Sequence, residues 1–117
     1  ADAWVVHTFE IPVDIVGWHD AETALLEACV EEHAQAAEAK TWFERRLRER
    51  GLEMPLLEPS VSVRVDDPRR ATLIATVPTL ARRRAAIEQA VLRRFLTKRA
   101  AQLSTTTNAA PTTAPTP

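Results

Sequence analysis

The sequence predicts a single α+β domain of order β-α-β-β-α, with a three-stranded sheet and two helices on one of its faces. Apolar residues alternate with polar ones over Trp4–Val16, Ser60–Val65 and Ala71–Val77, the period-two pattern of strands with one buried side. Residues 21–50 contain neither glycine nor proline, and their apolar positions recur at helical spacing. A second helical pattern follows Thr79.

The first strand carries Val5, His7, Phe9, Ile11, Val13 and Ile15 at odd positions. Trp4, Val6, Thr8, Glu10, Pro12 and Asp14 fill the even ones. Pro12 has no N–H to give to a ladder, so this strand belongs at a sheet edge. Gly17 ends it, and Asp20 stands as an N-cap with Glu22 in the first turn of the long helix. Gly51 marks that helix's end. At about 100° per residue, Leu25, Cys29, Ala36, Phe43 and Leu47 form one stripe, flanked by Leu26, His33 and Ala37. Thirty continuous residues would reach about 45 Å, long for so small a domain, which predicts a break near Ala39–Thr41.

A proline-bounded connector at residues 52–59 leads to the second and third strands. Asp66-Asp67-Pro68-Arg69-Arg70 between them is turn chemistry, so the pair reads as a hairpin. Thr79 is read as the cap of the second helix. That helix runs to about Leu103, with Leu80, Ile87, Val91, Leu92, Phe95 and Leu96 on its apolar side. Residues 104–117 have three prolines, no charge and no periodicity, which predicts a flexible tail. The division is a domain at 1–103 and a disordered Thr/Ala/Pro tail at 104–117.

A β-α-β crossover followed by a hairpin inserts the returning strand between the first two, in the order 1-3-2. This is the ferredoxin-like pattern lacking its last strand. The missing strand leaves the outer edge of the first one open, and open edges are either covered or used.

Composition bounds the function. At 117 residues, 45% hydrophobic and 26% charged, the chain suits one soluble domain. No apolar run approaches the roughly 18 residues of a membrane span. A lone Cys29 forms no intrachain disulfide, which fits a reducing, cytoplasmic (or virion-associated) setting. Two glycines, neither in a phosphate-cradling motif, argue against nucleotide chemistry. One cysteine and three histidines fall short of a paired four-ligand zinc set. His7, Cys29 and His33 share the predicted core side, where a buried thiol is the simpler reading. Asp14, His19 and Asp20 cluster near the first strand's end, and capping accounts for them. The expectation is a protein that is not an enzyme and carries no cofactor.

Charge is divided along the chain. Residues 1–58 hold 13 acidic and 5 basic residues, residues 59–117 hold 3 acidic and 10 basic ones. Such a division is resolved inside one molecule, between subunits, or on an outside polyanion. Arg82 and Arg93, like Arg83 and Arg94, stand eleven residues apart, close to three helical turns. They predict a basic face, extended by Arg69 and Arg70 at the hairpin tip, that suits nucleic-acid phosphates as an alternative partner. Glu27, Glu31 and Glu38 predict an acidic face on the first helix, with Trp42 beside it as an interface anchor.

Together these features point to association. The leading expectation is a non-catalytic assembly or adaptor subunit, by analogy of class with small phage- or plasmid-type structural subunits. Its partner edge is Trp4, Val6, Thr8, Glu10 and Pro12. Its partner is protein, either copies of itself or a larger assembly, with no membrane.

Overall fold

The computed structural model describes residues 3–35, 37–51 and 58–109, with side chains except at 35, 37–40, 43 and 106–109. The elements are β1 (Trp4–Asp14), α1 (Trp18–Gln35), α2 (Ala37–Glu49), β2 (Ser60–Val65), β3 (Arg70–Leu80), a 3-10 turn (Ala81–Arg83) and α3 (Arg84–Ala109). The fold is α+β, with one antiparallel sheet in the order β1-β3-β2. β3 pairs with β1 from Trp4↔Leu80 to Asp14↔Arg70, and with β2 from Ser60↔Thr76 to Val65↔Ala71.

Odd-numbered strand residues build the core. Ala71, Leu73, Ala75 and Val77 of β3 are fully buried, and Phe9 joins them from β1. Ile11, Val13, Val61 and Val63 pack around that cluster. From above, α1 contributes Ala21, Ala24, Leu25, Ala28 and Cys29, and α3 contributes Val91 and Phe95. The alanines at 71 and 75 leave room for α1 to lie close to the sheet, where Leu25 and Val91 are fully buried.

The helix boundaries differ from the sequence expectation in four places, each for a local reason. α1 starts at Trp18, because the Ala21 N–H donates to the Gly17 carbonyl (3.1 Å). Gly17, at φ +81°, therefore holds the N-cap position and turns the chain. Asp20 sits inside the first turn instead, where its charge still suits the helix dipole. α1 ends at Gln35 and α2 begins at Ala37, residue 36 lying outside the described residues, and α2 runs uninterrupted through Ala39–Thr41, where a break was expected. Thr79 is no cap: it pairs with Val5 as part of β3 and is buried. Continuing the sheet to Leu80 satisfies its backbone better than a cap would. The turn that follows has no side-chain cap at all.

Lastly, α3 continues to Ala109, into the segment read as tail. Ser104 to Thr107 follow an established helix that only has to propagate, which costs less than nucleation. Residues 110–117 lie outside the described residues. No helix among the described residues is long and apolar enough to cross a membrane.

Replacing Leu73 by Ala should cost about 2–5 kcal/mol, because a fully buried side chain on the central strand leaves a cavity between both helices and the sheet. Urea denaturation followed by circular dichroism measures it. A loss under about 1 kcal/mol would contradict the central place assigned to β3.

Candidate interaction surfaces

The direction of each backbone group on β1 follows from two hydrogen bonds at its ends. The Ile15 N–H donates to the Arg69 carbonyl (2.8 Å), and the Ala81 N–H donates to the Ala3 carbonyl (2.8 Å). Both pairs continue the β1–β3 register. In an antiparallel ladder directly opposed residues alternate between bonded and non-bonded pairs, so odd-numbered residues of β1 bond to β3. The N–H and C=O groups of Trp4, Val6, Thr8 and Glu10, and the carbonyl of Pro12, therefore point to the open side. All five residues of the expected partner edge fall in this set. Pro12 sits at one of the positions where its missing N–H costs the molecule nothing.

The same argument defines a second edge. The Asp66 N–H donates to the Arg70 carbonyl (3.0 Å), so even residues of β2 bond to β3 and Val61, Val63 and Val65 turn outward. Across the uncovered sheet face the two edge strands are tied together over β3. Arg64 Nη2 donates to Glu10 Oε1 (2.8 Å) and Arg64 Nε to Asp66 Oδ1 (3.0 Å). The Thr72 hydroxyl donates to Asp66 as well. That hydroxyl, and then Arg64, hold the Asp66 carboxyl below its ordinary range.

Between the helices lies a charged seam. Arg94 donates to Glu32 and to Glu31 (2.9 Å), and Lys98 donates to Glu31 (2.7 Å) and lies 3.5 Å from Glu27. The Lys98 hydrogen bond, ahead of Arg94, holds the Glu31 carboxyl below its usual value, and Glu31 in turn raises Lys98. Farther along, Gln102 donates to the Asp20 carbonyl (2.9 Å), so α1 and α3 run antiparallel.

This seam rearranges the charged faces expected from the sequence. Glu27 and Glu31 face α3 rather than the outside. Glu38 and Trp42 stand on α2, and the Glu38 side chain is outside the described residues. Trp42 is half exposed and lies under the Arg46 guanidinium, 4.2 Å from the ring centroid, a cation–π contact. Arg94 belongs to the seam, while Arg93 is exposed. Arg82 and Arg83 lie on the 3-10 turn and not on α3, which breaks the eleven-residue relation. Arg69 and Arg70 sit at the opposite end of β3 from that turn, about 36 Å away at 3.3 Å per residue. The six arginines do not form a single surface.

The seam was legible in one respect that the linear reading passed over. Glu27/Glu31 and Arg94/Lys98 are like-charge pairs of opposite sign at i, i+4, each unfavourable alone and complementary when two helices share a sheet face. Glu10–Arg64 had no such signal, since only the strand register brings the two together.

The residues weighed as metal ligands are dispersed. His7 Nε2 meets Glu88 Oε1 of α3 (2.8 Å) and stacks on Phe9. Cys29 is buried, and burial pushes its thiol up to about 11. Among the described residues no three His, Cys, Asp or Glu side chains gather as a metal site. Compared with known protein families, with curated proteins and with solved structures, the chain matches none of them.

Two outcomes are expected. Carboxyls held low in the folded state stabilise it above the ordinary carboxylate range and lose that contribution as pH falls through their folded values. The urea midpoint should therefore drop below about pH 4, and Glu31→Gln should flatten that drop; an unchanged acid limb would argue against the seam. At pH 8 a thiol reagent should label Cys29 only after denaturation, because both access and thiolate are suppressed. Fast labelling of the native chain would show that Cys29 is not core.

Proposed function

We propose that this chain is a non-catalytic assembly or adaptor subunit that docks by strand addition along the outer edge of β1. The observation that carries the reading is the set of backbone donors and acceptors at Val6, Thr8 and Glu10, which point away from β3 with no strand beside them among the described residues. An added strand satisfies those groups while excluding water from them, and main-chain bonding of this kind is a common source of affinity in protein recognition. The side chains beside the edge suit a covered surface: Val6 is half exposed, and Thr8 and Trp4 flank it.

Pro12 limits where a partner lies. An added strand finds donors from Val6 to Glu10 and meets a blank at Pro12, so the pairing is biased toward the first half of β1. The helix charges take a smaller part than the linear sequence suggests, because Glu27, Glu31, Arg94 and Lys98 already neutralise one another within the chain. The edge and not the charge division is the docking feature.

Sedimentation velocity over a wide concentration range tests this in its self-associating form. Species larger than the 13.0 kDa chain should appear as concentration rises and persist in high salt. Thr8→Pro removes an outward N–H and an exposed 3.5 Å hydroxyl contact with Thr76, and no bond to β3's backbone, so it should keep the fold and weaken association at least tenfold. A wild-type chain that stays monomeric at every concentration and salt overturns self-association.

A further inference from the structure

Each outer side of the molecule pairs an open strand with an apolar helix flank, and the two sides fit each other. On α1, Leu25 and Cys29 face the sheet and Glu27 and Glu31 face α3. At 100° per residue Leu26 and Val30 then lie on the flank turned away from α3, on the β2 side. They are 39% and 49% exposed. On α3, Val91 and Phe95 face the sheet while Arg94 and Lys98 face α1. Leu96 and Leu103 lie on the opposite flank, above β1, and are 63% and 56% exposed. Charged residues line the inside seam, and the exposed leucines and valine of both helices line the outside flanks. In a solitary subunit the reverse placement would be expected.

We infer that the occupant of these flanks is a second copy of this chain, joined head to tail, with β2 of one copy beside β1 of the next. The inference rests on the edge-docking reading and adds the identity and orientation of the partner. β1 and β2 both run antiparallel to β3, so they are parallel to each other, and a head-to-tail junction is a parallel pair. Setting Val63 beside Phe9 of the next copy places odd residues against odd ones, so both cores stay on one side of a continuous sheet. The outward groups of Val61, Val63 and Val65 then face those of Val6, Thr8 and Glu10. Pro12 falls at the last rung, where β2 ends.

Two further features agree with this register. Arg64 comes beside Glu10 of the next copy, on the uncovered face, repeating the Arg64–Glu10 pair already made within each chain at 2.8 Å. The guanidinium has five donors and uses Nε and Nη2 inside its own chain. The α1 flank with Leu26 and Val30 meets the α3 flank with Leu96 of the next copy, antiparallel, as α1 meets α3 within one copy. A two-fold β1–β1 contact would bring Pro12 into the paired region or shift it past the end, and would leave the Leu26/Val30 flank uncovered. Head-to-tail contacts of this kind extend into filaments or close into rings.

Complementation of blocked variants tests it. Thr8→Pro blocks the β1 edge and Val63→Pro the β2 edge, each at an outward N–H. Both variants should be monomeric alone, and a 1:1 mixture should sediment as a dimer and go no further. Because Val63 is partly buried, circular dichroism accompanies each variant, and the surface pair Leu26→Lys and Leu96→Glu repeats the test. Each of these should weaken association at least tenfold alone, and the mixture should recover it. Self-association of Val63→Pro would assign a two-fold β1 contact, and self-association of Thr8→Pro a two-fold β2 contact; either overturns the head-to-tail arrangement while edge docking stands. A mixture of folded variants that fails to dimerise overturns it also. A wild-type chain that stays monomeric overturns self-association, and the head-to-tail arrangement with it.

Discussion

The structure depends on β3 being paired along both of its edges. Its odd side chains form the centre of the core, its even backbone groups hold β2, and its odd ones hold β1. Because β3 is interior, the other two strands are the borders of the sheet among the described residues, and each turns a row of backbone groups away from β3. The unpaired edges are thus a consequence of inserting the hairpin's return strand in the middle. A sheet of three strands cannot avoid having two edges.

Covering one sheet face with only two helices sets the second constraint. α1 and α3 must lie side by side over three strands, and each is then inside on one flank and outside on the other. The chain places its complementary charges on the inner flanks, where Glu31 receives hydrogen bonds from both Lys98 and Arg94. Partly buried charges need such partners. The outer flanks carry leucine and valine. This ordering leaves charges paired at the centre and apolar side chains exposed at the sides, and the proposed association rests on that ordering.

α2 stands apart from this arrangement. Its described side chains are half-buried or exposed, with Trp42 under Arg46, and none of them belongs to the core cluster. Its helical pattern in the sequence is genuine, and a helix can form on local propensity alone.

The strands, their alternation, the hairpin turn at Asp66–Arg70 and the order 1-3-2 are all legible in the linear sequence, because period-two burial and turn chemistry are local. So is the border position of β1, through Pro12. Helix ends were less legible. The carbonyl of Gly17 took the N-cap position from Asp20, and sheet pairing claimed Thr79, since caps compete with backbone partners that only the fold supplies. The charged faces were misplaced for a related reason: spacing along one helix says which side chains share a side, and not what that side meets. Only the packing of α1 against α3 decided that Glu31 and Arg94 belong to the interior seam and Leu26 and Leu96 to the surface, because charge pairing between helices distant in sequence is a property of their juxtaposition.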